Sequence, residues 1–135
     1  MSVESEILST CRTIVVVGAS TNPAKAGHYI SAYMQAQGYR IIPVNPDERE
    51  VLGEPCYPDL ASVPGPVEFV NVFRRPEFCA DVARAAVAIG AKALWLQQGI
   101  TSGEARRIAT EAGLAYIEDR CVMVEHRRAG IGRVA

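Results

Sequence analysis

Between Ile14 and Gly27 the apolar run Ile14-Val15-Val16-Val17 drives straight into Gly18-Ala19-Ser20-Thr21-Asn22-Pro23-Ala24-Lys25, and an amphipathic helical pattern follows. Strand, glycine turn, helix is the order in which a parallel α/β sheet builds a phosphate site. The turn exposes backbone N–H groups at a helix N-terminus, where the dipole favours an anion. Ser20 and Thr21 add hydroxyls to that loop. Lys25 stands at the start of the helix, where an ammonium opposes the dipole unless an anion is present too. We read it as a pyrophosphate clamp, the alternative being a solvated surface lysine. The dinucleotide fingerprint requires glycine at its first, third and sixth positions. This chain offers Gly18, Ser20 and Pro23 there. Only the first position fits, so the loop suits a different ligand.

Other candidate groups follow later apolar runs. Where an NAD enzyme commonly carries an acid that accepts from the ribose diol, this chain has Asn45-Pro46, with Asp47 later. That corner is either a plain turn or a rigid cradle for a phosphorylated ribose. After the third run come Phe73, Arg74 and Arg75. Guanidiniums there can grip phosphate oxygens in bidentate fashion, and Phe73 can border an adenine. For Arg75 a surface ion pair is an equal reading. The fourth run ends in Gln97-Gln98-Gly99-Ile100, two amides for a base edge and a glycine for a tight turn, with Trp95 read as core.

Catalytic groupings are thin. His28 and His126 are the only histidines, and no Ser-His-Asp order, His-Glu-x-x-His or fixed carboxylate pair occurs. Glu125-His126-Arg127-Arg128 reads as a solvated helix or tail. Cys11, Cys56, Cys79 and Cys121 lie far apart with no Cys-x-x-Cys pair, which argues against a zinc cage. They read as semi-buried thiols, with Cys56 and Cys121 open to a redox role. No catalytic residue and no metal ligand is assigned.

The elements that must hold these groups alternate. A helix over about Glu4–Cys11 precedes the first strand, Thr13–Val17. The next helix, about Ala24–Gln37, carries Ala26, Ile30, Tyr33 and Met34 on one face and ends at Gly38. The second strand is Arg40–Val44, and residues 45–66 form a proline-rich crossover with one or two short helical turns. The third strand is Val67–Phe73. Pro76 opens a helix whose buried stripe is Phe78, Val82, Ala86 and Ile89. Lys92–Leu96 is the fourth strand. Thr101 and Glu104 have capping-box spacing for a helix ending at Gly113. Leu114–Ile117 is the fifth strand, and Asp119–Arg128 forms a helical or irregular flap. This alternation predicts one α/β domain over residues 1–135, Rossmann-like and doubly wound. Its five parallel strands take the order 3-2-1-4-5 with helices on both faces. Ligands in such sheets bind beyond the carboxyl ends, where the order reverses, here between strands one and four.

Composition is that of a globular chain: 49% hydrophobic, 21% charged, net charge −1 over 135 residues. Near-neutral charge gives no general attraction to nucleic acid or to a membrane surface. No apolar run approaches the ~18 residues of a membrane span, and no leader pattern opens the chain, so we expect a cytoplasmic protein. The apolar balance is compatible with a homodimer.

Taken in order, Val15–Ser20, Lys25, Gly38–Pro46, Val51–Leu60, Asn71–Pro76, Gly90–Ile100 and Asp119–Arg128 cover nearly the whole chain. Together they resemble the small stand-alone CoA-binding domain proteins, relatives of the CoA-binding domain in the succinyl-CoA synthetase alpha subunit. The resemblance implies coenzyme A at the carboxyl end of the sheet. Gly18, Ala19, Ser20 and Lys25 would meet the pyrophosphate and pantetheine. Asn45 and Pro46 would line the crevice, and Phe73, Arg74 and the turn Gln97–Ile100 would hold the nucleotide end. Asn71, where the family often has Asp, and Gln98, where it often has an apolar or small residue, depart from that pattern. The synthetase's phosphorylated histidine belongs to a second domain without counterpart in these residues. The expected function is therefore binding of CoA or an acyl-CoA without catalysis, with an acyl-CoA-using enzyme as the candidate partner. The alternatives are an NAD(P)-binding redox module and a thiol-exchange protein forming a CoA mixed disulfide.

Overall fold

The computed structural model describes residues 2–134. Ser2 caps the first helix, α1 (Val3–Thr10), its hydroxyl accepting from the Ser5 N–H at 3.1 Å. Strand β1 (Thr13–Val17) is buried from Ile14 onward, as a central parallel strand must be. Then come α2 (Ala26–Ala36), β2 (Arg40–Val44), a small hairpin of β3 (Glu50–Val51) and β4 (Glu54–Pro55), and a 3₁₀ turn at Leu60–Ser62. The second half alternates β5 (Phe69–Val72), α3 (Pro76–Ala88), β6 (Ala93–Leu96), α4 (Gly103–Glu111), β7 (Ala115–Ile117) and α5 (Val122–Ala129). Among the described residues no helix is long and apolar enough to cross a membrane.

All five long strands run parallel, in the order β2-β1-β5-β6-β7. The chain winds outward from β1 to one side and then to the other, the doubly wound pattern expected. One neighbour differs from expectation. The strand foreseen at Val67–Phe73 lies beside β1, with Val15 opposite Val70, and not outside β2. The outer place is held by Tyr57, which makes a single parallel bridge to Val44. The order therefore reverses between β1 and β5. A strand buried on both faces carries no mark of which neighbour it takes.

The pleat divides β1 between two cores. Ile14 and Val16 face α1, α2 and α5, packing with Leu8, Met34, Phe69, Trp95 and Val122. Val15 and Val17 face α3, α4 and the 3₁₀ turn, packing with Leu60, Val70, Cys79, Ala83 and Ala105. Helices thus cover both faces. Trp95 is fully buried, and its indole N–H donates to the Arg120 carbonyl at 2.8 Å.

Two local expectations are corrected. Ser102, not Thr101, caps α4, accepting from the Ala105 N–H, while Glu104 turns outward to Arg84 at 2.7 Å. The flap at Asp119–Arg128 contains a regular helix, and His126 within it is buried, not solvated. Its Nε2–H donates to the Gly132 carbonyl at 2.7 Å, so in the neutral ring Nδ1 accepts from the Tyr33 hydroxyl at 3.0 Å. His126 thereby ties α5 to α2 and to the C-terminal strap. That strap returns over β2's start, where the Val134 N–H meets the Gln37 carbonyl at 2.7 Å.

Candidate functional site

The carboxyl ends of β1, β2, β5, β6 and β7 meet along one edge of the sheet. The loop after β1 is fixed from three sides. The Gly18 N–H donates to the Val44 carbonyl at 3.0 Å, the Asn45 amide to the Ala19 carbonyl at 2.7 Å, and His28 Nδ1 to the Ser20 carbonyl at 2.8 Å. Gly18 has φ +89°, and a Cβ there would stand 2.5 Å from the Phe73 carbonyl oxygen. Both conformation and space demand glycine. Gly27 lets α2 press on this loop, since a Cβ would fall 2.4 Å from the Gly18 carbonyl oxygen.

The N-terminus of α2 differs from the other four. α1, α3, α4 and α5 each carry a glutamate in the first turn, whereas α2 has none and no side-chain cap. Lys25 occupies the cap position. A helix start without a carboxylate but with an ammonium leaves its positive pole to an outside anion.

Three neighbouring hollows open along this edge, and Phe73 borders all of them. Over the α2 N-terminus lies a hollow of about 400 Å³ lined by Gly18, Ser20, Lys25, Gly27 and Asn45. Toward β2 and α3 a cavity of about 490 Å³ is walled by Asn45, Pro46, Leu60, Arg74, Phe78 and Val82. Toward α5 a cavity of about 700 Å³ is walled by Tyr29, Ile30, Arg74, the turn Gln97–Ile100, Cys121, Met123 and Val124. Most residues singled out in the sequence therefore come together on one crest. Ala19 is fully buried beneath it. Thr21 is exposed and lines none of the three.

Several side chains brace the crest. Asn45 spends its amide on Ala19 and its carbonyl oxygen on the Asp47 N–H at 2.9 Å. Gln97, 3% exposed, donates to Asn71 and accepts from the Val122 N–H at 3.3 Å, tying β6 to β5 and to α5. Arg74 lies with its guanidinium carbon 4.4 Å from the Phe78 ring centre. Arg75 is mostly exposed and pairs with Glu77 at 3.9 Å, the surface role weighed for it.

Sequence reasoning missed two acids. Asp47 lines the hollows on both sides of Asn45, so a carboxylate does reach this crest. An acid three residues past the end of β2 has no direction legible in the sequence, because a turn carries it. Asp119, at φ +56°, accepts from the Gly99 N–H at 2.7 Å and holds the Gln97–Ile100 turn. Its tolerance of left-handed backbone was the available signal.

Of the two thiols left open to redox chemistry, Cys56 sits beside the Asn45 carbonyl at 3.7 Å, and burial pushes its pKa up. Cys121 lines the larger cavity and is 9% exposed. Among the described residues no group of three or more His, Cys, Asp or Glu side chains could hold a metal ion.

The family model described as CoA binding domain matches residues 12–127, spanning every element that builds this crest. The chain belongs to the CoA binding domain family. Within reach of that family is the uncharacterized protein YneT of Bacillus subtilis, 41% identical over 121 residues that cover 90% of each chain. A solved structure from Thermus thermophilus, cell-free ID.343, superposes with a TM-score of 0.89 at 37% identity, covering 96% of this chain and 99% of that one. The alpha subunit of acetate–CoA ligase [ADP-forming] II from Pyrococcus furiosus is 28% identical over 134 residues. That match covers 89% of this chain but only 29% of the ligase subunit. The CoA-binding domain is thus found both as a small chain and within larger ones.

Proposed function

We propose that this protein binds coenzyme A or an acyl-CoA along the carboxyl edge of its sheet, without chemistry of its own. The observation that carries the reading is the bare positive end of α2, with Gly18, Ser20 and Lys25 around a hollow open on both sides. The diphosphate sits there, taking backbone N–H groups and the Lys25 ammonium. CoA needs a site of this form: an anionic waist between two unlike arms.

The arms are assigned by the character of the walls. The 3′-phosphoadenosine enters the 490 Å³ cavity, where Pro46, Leu60 and Val82 flank the base and Arg74 faces phosphate. Asp59 is taken up by Ser62 and Asp81 by Arg84, which leaves Asp47 for the ribose. Pantetheine runs past Phe73 toward the Gln97–Ile100 turn. In this reading that turn serves the pantetheine arm rather than the nucleotide end first expected for it. Selectivity over NAD rests on the loop, where Ser20 and Pro23 replace two fingerprint glycines, and no longer on a missing acid.

Calorimetric titration of the purified chain with CoA and with NAD tests the proposal. CoA binding at least tenfold tighter than NAD is expected; comparable or tighter NAD binding overturns it.

A further inference from the structure

The cavity beside α5 is larger and more apolar than the one assigned to the nucleotide, about 700 against 490 Å³. Beyond Arg74, Arg75, Gln97 and Gln98 its wall carries Tyr29, Ile30, Ile100, Met123 and Val124. Apolar side chains exposed together around a hollow, unlike ones scattered singly, mark a ligand-binding groove. Among the described residues only three are markedly exposed, and two of them, Tyr29 at 49% and Val124 at 37%, stand on this wall. One comes from α2 and the other from α5, so the wall joins two helices that the His126–Tyr33 hydrogen bond holds together. The charged side chains on its lining are Arg74 and Arg75. Arg75 is already paired with Glu77, and Arg74 borders both cavities and so marks their junction, not the apolar wall.

We propose that this cavity is an acyl chamber, and that the preferred ligand is a CoA thioester carrying an apolar acyl chain. The inference rests on the CoA reading above, and specifies which thioesters that site takes. The hollow shares Ala26 and Phe73 with the α2 anion site, so a ligand anchored by its diphosphate can direct its thioester end here. Each methylene buried against such a wall contributes up to about fourfold in affinity. A carboxylated acyl group would gain less there, because along Tyr29, Ile30, Met123 and Val124 its charge would lose water without a partner.

The test is a calorimetric series on the full chain with free CoA and with acetyl-, butyryl-, hexanoyl- and succinyl-CoA. Affinity rises along the apolar series, with hexanoyl-CoA at least tenfold tighter than acetyl-CoA and succinyl-CoA no tighter than acetyl-CoA. In Val124→Asp, and independently in Tyr29→Ser, the hexanoyl-to-acetyl ratio falls toward one. A flat series with free CoA still bound overturns the chamber and leaves the CoA reading standing, as does succinyl-CoA binding tightest. Failure of free CoA and of every thioester to bind overturns both.

Discussion

Replacing Gly27 by alanine sets two forces against each other. Alanine is the better helix former by up to about 1 kcal/mol, and at the second position of α2 part of that gain is realised. Against it stands the 2.4 Å approach between the added Cβ and the Gly18 carbonyl oxygen. To reach a tolerable contact, helix and loop must part by at least about 0.6 Å in a close-packed region. The loop is poorly placed to yield, because its Gly18 N–H is bonded to Val44 and its Ala19 carbonyl to Asn45, and parting it from α2 stretches the His28–Ser20 hydrogen bond. Overpacking of this kind costs about 1–3 kcal/mol, so the contact outweighs the propensity. The expected net loss is about 1–2 kcal/mol, a fall of roughly 3–10 °C in Tm for a chain of this size. Separating α2 from the loop also moves its N–H groups off the anion position, so CoA affinity falls about tenfold, or ~1.4 kcal/mol. Thermal denaturation and calorimetry on the same sample read both effects. A variant with higher Tm and unchanged CoA affinity would refute the claim that Gly27 exists to seat the helix on the loop.

Lys25→Ala removes an exposed ammonium from the anion hollow, and weakens CoA about tenfold, or ~1.4 kcal/mol, with little change in Tm; unchanged affinity would put the diphosphate elsewhere. Tyr33→Phe leaves His126 Nδ1 without its donor and costs about 1–2 kcal/mol, read as a Tm lower by roughly 3–10 °C. Burial alone would raise the Glu118 carboxyl, but hydrogen bonds from the Tyr116 hydroxyl, the Arg106 guanidinium and the Ser102 N–H bring it below its ordinary value. A depressed carboxyl stabilises the fold above its unfolded pKa and loses that contribution as pH falls through its folded one. Glu118→Gln therefore lowers stability by about 1 kcal/mol near neutrality, and the difference closes as pH falls through the lowered folded pKa of Glu118. A gap that persists in acid would contradict the assignment.

The parts of this fold most legible in the sequence are those where one physical demand excludes all others. Ile14–Val17 is a strand because an unbroken apolar run before a glycine turn fits a parallel sheet buried on both faces, and all four residues are buried. Gly18, Lys25, Asn45, Phe73 and Arg74 were gathered from separate segments because strand ends in such a sheet must meet on one edge, and they do. Lateral order was less legible, since Phe69–Val72 satisfies either neighbour equally well. His126 was hidden among Glu125, Arg127 and Arg128, for a single buried position in a polar run depends on which helix it rests against. Gln97 was legible as a crest residue, but not as one whose hydrogen bonds are spent on Asn71 and Val122. Tyr29 and Val124 read as ordinary helix residues, because exposure around a hollow exists only once α2 and α5 are packed.

The most direct measurement is a crystal structure of the chain grown with CoA. Electron density for the diphosphate over the first turn of α2, within hydrogen-bonding distance of the Ala26 and Gly27 N–H groups and the Lys25 ammonium, is the predicted result. Diphosphate bound away from α2, with that helix start facing only solvent, would contradict the account.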